Sequence, residues 1–272
     1  MKLGLTLPSF IEEPDHAVNV AVAAEAAGVD AVFVYDHLFR FAPDGSHRPA
    51  LECVALLGAV TAATRRILVG TLVARASLRP SATLVAALDT VARLAPGRLI
   101  AGLGAGDSES RRENTTFGLP FGSVEDRVQR LHDSVVAARD RGFPVWVGGT
   151  SRAVRAVAAR AADGWNQWGG PPERFGGRVA STCGDARHQP FACSWGGLVV
   201  LADDDAAAKA KWQRLGANPA AIHGGPDRVA TALDRYAAAG ANWLILGPID
   251  SQNPENARRL GEQLAPRLRD RS

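Results

Sequence analysis

The chain has 272 residues, 46% of them apolar and 22% charged, which suits one large or two small globular domains with a real core. Much of its formal net charge of +3 sits in Arg258, Arg259, Arg267, Arg269 and Arg271, a basic closing helix with no interleaved stacking aromatics, so no nucleic-acid partner is expected. No apolar run reaches membrane-spanning length and no signal-peptide pattern opens the chain, while Cys53, Cys183 and Cys193 are odd in number and form no Cys-x-x-Cys pair. A membrane partner, a disulfide framework and a zinc site are therefore disfavoured, and a cytoplasmic location is expected.

Residues 3–7 read as a strand ended by Pro8-Ser9, and 14–27 as a helix with Pro14 in its first turn and Gly28 as its cap. Ala31-Val32-Phe33-Val34-Tyr35 is short, apolar and β-branched, the signature of a buried strand, and it delivers Asp36 and His37 at its end. A loop over 36–48 follows, then a helix over 49–64, a strand over 67–73, a helix over 80–94 and a strand over 98–103. That strand runs into Gly104-Ala105-Gly106-Asp107 and a polar stretch. Next come a helix over 124–141, a strand over 144–147, and Gly148-Gly149-Thr150-Ser151 opening a helix over 152–162. A strand over 164–167 precedes a glycine- and proline-rich segment, 169–190, that shows no clear element. The chain closes with a strand over 191–201, helices over 203–215 and 226–239, a strand over 243–246 and a helix over 254–269.

Eight strands alternating with helices predict an α/β fold, a single (β/α)8 TIM barrel over 1–272, with an open doubly wound sheet as the runner-up. Helix ends that turn into strands at Ala26-Ala27-Gly28-Val29-Asp30 and Ala238-Ala239-Gly240-Ala241-Asn242 echo one another, as repeated units of one architecture should.

In such a barrel the loops after the strands build the site. Collected, they are rich in glycine and poor in metal ligands, so no metal is expected. Gly148, Gly149, Thr150 and Ser151 form either a phosphate-holding turn at a helix start or an ordinary turn with Ser151 as N-cap. Gly104, Ala105, Gly106 and Asp107 lack dinucleotide-fingerprint spacing and suit a flat ligand lying against the backbone, with helix capping as the plainer role for Asp107. His37 at a strand end, oriented or tuned by the adjacent Asp36, is the best candidate for proton transfer, because imidazole titrates near neutrality.

These motifs together resemble the luciferase-like flavin and deazaflavin oxidoreductases. The carriers are residues 28–37, Arg66-Ile67-Leu68-Val69-Gly70-Thr71, residues 88–106 with Pro96-Gly97-Arg98, and Pro144-Val145-Trp146-Val147-Gly148-Gly149 with Ala162-Asp163-Gly164-Trp165. The resemblance implies a barrel that binds a flavin-type ring at its carboxyl face. Gly70-Thr71 would then be the bulge behind the ring, often with a non-proline cis bond. Gly148 to Ser151 would hold the cofactor phosphate, and Gly104 to Asp107 would line the ring's polar edge. The Asp36-His37 pair resembles the subgroup that uses coenzyme F-420, in which the equivalent His lies beside the reactive ring carbon and handles a proton. Flavin mononucleotide (FMN), in a monooxygenase, is the alternative cofactor, and a catalytically silent binding barrel a further one. The implied partner is a small-molecule substrate, and relatives often pair as homodimers. The 169–190 segment looks shortened where relatives carry longer insertions that cover substrate.

Overall fold

The structure, a computed structural model, describes residues 1–41 and 46–269. The middle of the loop expected over 36–48, and Arg271, lie outside the described residues.

Eight parallel strands form the barrel: β1 Lys2–Thr6, β2 Ala31–Val34, β3 Leu68–Arg75, β4 Leu99–Gly104, β5 Val145–Gly148, β6 Gly164–Trp168, β7 Ala192–Leu201 and β8 Trp243–Pro248. Each pairs with the next, and β8 returns to β1 with Lys2 opposite Trp243. The closed ring bears out the barrel over the open sheet. The strands are apolar on both faces because both are covered. Alternate side chains point inward, where Ala31, Phe33, Ile100, Trp146, Trp243 and Ile245 fill the barrel. The others, such as Leu3, Leu5, Val32, Val34 and Val69, pack against the surrounding helices.

Gly70 belongs to this interior. A Cβ there would lie 2.4 Å from the Ile100 carbonyl oxygen and 3.0 Å from the Phe33 ring. The bulge expected at Gly70-Thr71 sits further along β3. Pairing with β4 slips between Thr71 and Ala74, and the cis peptide joins Leu72 and Val73. Thr71 is fully buried, its hydroxyl donating to the Gly102 carbonyl at 2.6 Å. Neither Gly70 nor Thr71 reaches the surface on which a ligand could rest.

Other differences are local. The loop after β2 forms an antiparallel hairpin, Phe39–Phe41 with His47–Pro49. The polar stretch after β4 is a helix, Ser108–Thr116, and Ile222–Gly224 adds a short strand to the end of β7. The 169–190 segment holds a helix, Pro172–Val179, continued by a π-helical turn, Ala180–Gly184. That turn folds back on β7 and brings Cys183 to Cys193, with Cα atoms 6.2 Å apart, as a disulfide. The spacing that argued against a disulfide framework nonetheless permits this one bond, because ten residues of separation close into contact once the turn reverses the chain. Cys53 stays free and buried, and burial pushes its thiol well above the usual value. No helix of the described residues is long and apolar enough to cross a membrane.

Candidate functional site at the carboxyl ends of the strands

A cleft of about 650 Å³ opens where the strands end. Three of the segments singled out in the sequence meet there: Asp36 and His37, Gly104 to Asp107, and Gly148 to Ser151. Leu72 and Val73 of the bulge line it between them, and Asn166 and Trp168 lie at the end of β6.

At one end stands His37. Its Nδ1 lies 2.7 Å from Glu113 Oε1, and the Leu38 amide donates to Oε2 at 2.7 Å. Arg75 Nη2 donates to the same oxygen at 3.0 Å, and its Nη1 to Asn114 Oδ1 at 3.3 Å. Glu113 is 5% exposed and Arg75 3%. Burial alone would raise the Glu113 carboxyl, but the bonds from His37 and Leu38 and the charges of His37 and Arg75 hold it below the usual range. An ionised Glu113 makes Nδ1 the protonated nitrogen of the ring. Nε2 has no protein partner among the described residues, so it can take or give a proton. Phe10 and Tyr35 pack against the imidazole, with ring centres 5.4 and 5.9 Å away.

Asp36 does not make the contact expected of it. It accepts from Arg79 at 2.5 and 3.1 Å and from the Arg75 amide at 2.9 Å, and it is 2% exposed. Successive residues leaving a strand point apart, so adjacency in sequence separates the carboxylate from the ring. Asp36 fixes the end of β3, and Glu113 takes the role of holding His37.

The glycines make room for the bulge. A Cβ on Gly104 would lie 2.4 Å from Val73 Cγ2, and one on Gly148 2.6 Å from Val73 Cγ1. Their absence of side chains lets Val73 enter the cleft floor between β4 and β5. Gly106 and Gly149 adopt φ of +76° and +137°, which a side chain would strain. Asp107 caps the Ser108–Thr116 helix in a reciprocal pair with Ser110, accepting from its amide at 3.0 Å and its hydroxyl at 2.9 Å. Burial works against its charge, but those bonds and the nearby His37 keep its carboxyl below the usual value. Ser151 caps the helix Arg152–Ala161 by accepting from the Val154 amide at 3.3 Å, and Thr150 beside it is exposed. The Trp165 indole donates to the Gly149 carbonyl at 2.8 Å and pins this turn.

Two residues of the site, Glu113 behind His37 and Arg127 on the cleft wall, escaped the sequence reading. Glu113 is one of many polar residues in 107–116, and only the helical spacing of buried Ser110, Glu113 and Asn114 marks it out. Arg127, 8% exposed on the helix Val124–Arg139, looked like any helix cation. Among the described residues no cluster of His, Cys, Asp and Glu could hold a metal ion.

Residues 1–140 match a sequence profile described as luciferase-like monooxygenase. The chain belongs to this family. Curated luciferase-like relatives include an F-420-dependent glucose-6-phosphate dehydrogenase of Nakamurella multipartita, 31% identical over 56% of this chain and 51% of that one. One of the same name from Beutenbergia cavernae is 35% identical over 57% and 46%. The chain thus matches about half the length of these relatives. Another, from Microbacterium testaceum, is 23% identical over 95% and 94%. Among solved structures, an F-420-dependent secondary alcohol dehydrogenase in complex with an F-420–acetone adduct superposes with a TM-score of 0.81, at 18% identity and 99% coverage of both chains. Riboflavin lyase with modified FMN and substrate riboflavin reaches 0.83 at 14% identity, covering 100% of this chain and 92% of that one. These likenesses show a shared barrel fold.

Proposed function

We propose that this luciferase-like chain is a coenzyme F-420-dependent oxidoreductase acting on a small organic substrate. The observation that carries the reading is His37, held through Nδ1 by a buried, ionised Glu113 at the edge of the cleft, with Nε2 free for proton transfer. The names of the curated relatives support the same cofactor.

The residues present fit the group. Leu72, Val73 and Ala105 offer an apolar floor and edge for a flat ring, and the turn Gly148 to Ser151 offers amides and hydroxyls at a helix start for a phosphate. When bound, the deazaflavin supplies or accepts the hydride, and the protein's share is binding, orientation and proton handling. His37 would give a proton to the substrate oxygen in reduction or take it in oxidation, and Glu113 would steady the charged ring. Asp107 would line the ring edge near His37. Asp36 acts on the fold of β3 rather than on the reacting atoms.

Titrations of the purified protein with F-420 and, separately, with FMN test the cofactor. Tighter binding of F-420 is expected, whereas a preference for FMN would move the chain to the monooxygenase reading. His37→Ala should lower turnover about 10²- to 10⁴-fold while F-420 affinity changes less than about 3-fold. Undiminished turnover would remove His37 from the mechanism.

A further inference from the structure

We propose that the amino mouth of the barrel is a second binding site, apart from the cleft that holds His37, and that it takes a small planar aromatic carboxylate. It stands independently of the cofactor and reaction assigned to the carboxyl cleft.

A cavity of about 710 Å³ opens where the strands begin. Its floor is Trp146 and Trp243, set edge to face with ring centres 5.2 Å apart. Room is made for that floor: a Cβ on Gly164 would lie 2.6 Å from Trp146 Cδ1, and the glycine leaves the space to the indole. Gly97 and Gly142 stand at the rim with φ of +73° and +83°, so the turns there hang no side chain over the opening.

The two indoles carry the inference. Trp146 is 3% exposed and Trp243 7%, yet neither Nε1 donates to any group among the described residues. A buried tryptophan normally places that N–H on an acceptor. Three others of this chain do so: Trp165 donates to the Gly149 carbonyl at 2.8 Å, Trp195 to the Gly169 carbonyl at 3.2 Å and Trp212 to the Asn218 carbonyl at 2.8 Å.

The rim repeats the pattern. Lys2 Nζ, 5.1 Å from the Trp243 ring centre, meets no carboxylate of the described residues. Arg139 places Nε on Asp163 at 3.1 Å and Nη1 on His188 at 2.6 Å, and its Nη2 has no partner among them. The side-chain acceptors at this mouth are taken. Asp163 accepts from Arg139 and from the Val145 amide at 2.9 Å, and Asn242 Oδ1 accepts from the Cys193 amide at 2.9 Å.

The mouth therefore presents donors and positive charge around an aromatic floor. A cationic ligand would meet Lys2, and an aliphatic one would leave the indole N–H groups unmatched. A flat ring with a carboxylate answers both demands, and a cavity of this size and lining suits a small molecule. A face that served stability alone would gain nothing from open volume and unmatched buried donors.

The test follows the indole N–H resonances of the whole protein by two-dimensional NMR as 2-naphthoate is added. Trp146 and Trp243 should shift, with half-saturation below about 1 mM, while Trp168 in the carboxyl cleft stays in place. Uncharged 2-naphthamide should bind about 3- to 10-fold more weakly, and 2-naphthylmethylammonium more weakly still. Lys2→Gln, at an exposed position that does not threaten folding, should weaken 2-naphthoate about 3- to 10-fold and 2-naphthamide less than about 2-fold. Shifts at Trp168 alone would put the ligand at the other mouth. Equal affinity for the three compounds, or a Lys2→Gln protein that binds 2-naphthoate as the wild type does, would remove the preference for an anion. Shifts of Trp146 and Trp243 that follow protein concentration instead of ligand would mean that a second copy covers this face. Each of these results overturns the proposal, as would resonances that stay still up to about 10 mM 2-naphthoate.

Discussion

The barrel has two mouths, and cavities of similar volume open at both, about 650 Å³ at the carboxyl ends of the strands and about 710 Å³ at the amino ends. Their chemistry is opposite. The amino mouth is floored by Trp146 and Trp243, whose rings are 5.2 Å apart, with Ile100, Phe143 and Phe191 around them. Its charges stay at the rim: Arg139 pairs with Asp163 at 3.1 Å, and the Lys2 ammonium sits 5.1 Å from the Trp243 ring centre. At the carboxyl mouth Asp36, Arg75, Glu113 and Arg127 are all below 10% exposure. Burying charge is costly, so a chain that gathers four buried charges at one mouth and keeps them out of the other marks where its chemistry is. Cavity size does not make that distinction. Buried charge does.

The largest effect that could break the contrast is at Glu113. Glu113→Gln leaves Arg75 buried without its counter-charge and His37 without its anchor. It should destabilise the protein by about 3–5 kcal/mol and cut turnover about 100-fold. The pH dependence follows from the direction of the shift. The folded carboxyl lies below its ordinary value, so its charge stabilises the fold at neutral pH. That contribution is lost as pH falls through the lowered value. Urea melts should show the wild type's advantage over Glu113→Gln shrinking from about pH 7 to about pH 3. A constant difference across that range would mean that Glu113 is not charged in the fold.

Asp36→Asn comes next. Losing half of the Asp36–Arg79 pair should cost about 3 kcal/mol, at the low end for buried pairs because Arg79 is partly exposed. Turnover per folded molecule should fall less than about 10-fold. A collapse in turnover with an unchanged melting temperature would restore Asp36 as the partner of His37.

These two residues show what the sequence made legible. Strand ends were readable, because short apolar runs such as Ala31 to Tyr35 stop at Asp36-His37 and Pro144 to Val147 stop at Gly148-Gly149. The closed ring followed from counting eight such runs. Which carboxylate faces His37 was not readable. Glu113 is 76 residues away on a helix whose polar composition gives no hydrophobic period, and the Arg79 that occupies Asp36 is 43 residues away. Contacts across the barrel are set by the loops after several strands, and no local pattern records them. The bulge lies on the expected strand, and only its position was misread, for a related reason: Gly70 fits both a bulge and a tight interior, and Phe33, on the neighbouring strand, decides between them.

Gly148→Ala sharpens the contrast from the packing side. Its new methyl would sit 2.6 Å from Val73 Cγ1, on a branched side chain with little freedom to turn away. A loss of about 1–3 kcal/mol is expected, and most of it should return in the double variant with Val73→Ala. Additive losses would show that Gly148 serves the turn at Gly149 rather than the bulge.

The smallest effect belongs to the amino mouth. Lys2 is exposed, and a cation over a ring at a solvent-facing site contributes about 0.5–1 kcal/mol, so Lys2→Ala should lower stability by no more than that. Turnover and F-420 affinity should stay within about 2-fold. The reasoning is steric as well as electrostatic, because Phe33, Trp146, Trp243 and Ile245 fill the barrel between the two mouths and leave them as separate spaces. A variant at one mouth can reach the other only by shifting that packed layer, and removing an ammonium from the rim shifts none of it. If Lys2→Ala nevertheless changed turnover as strongly as Glu113→Gln, the two mouths would be coupled through the aromatic layer, and buried charge would mark only one part of the functional machinery.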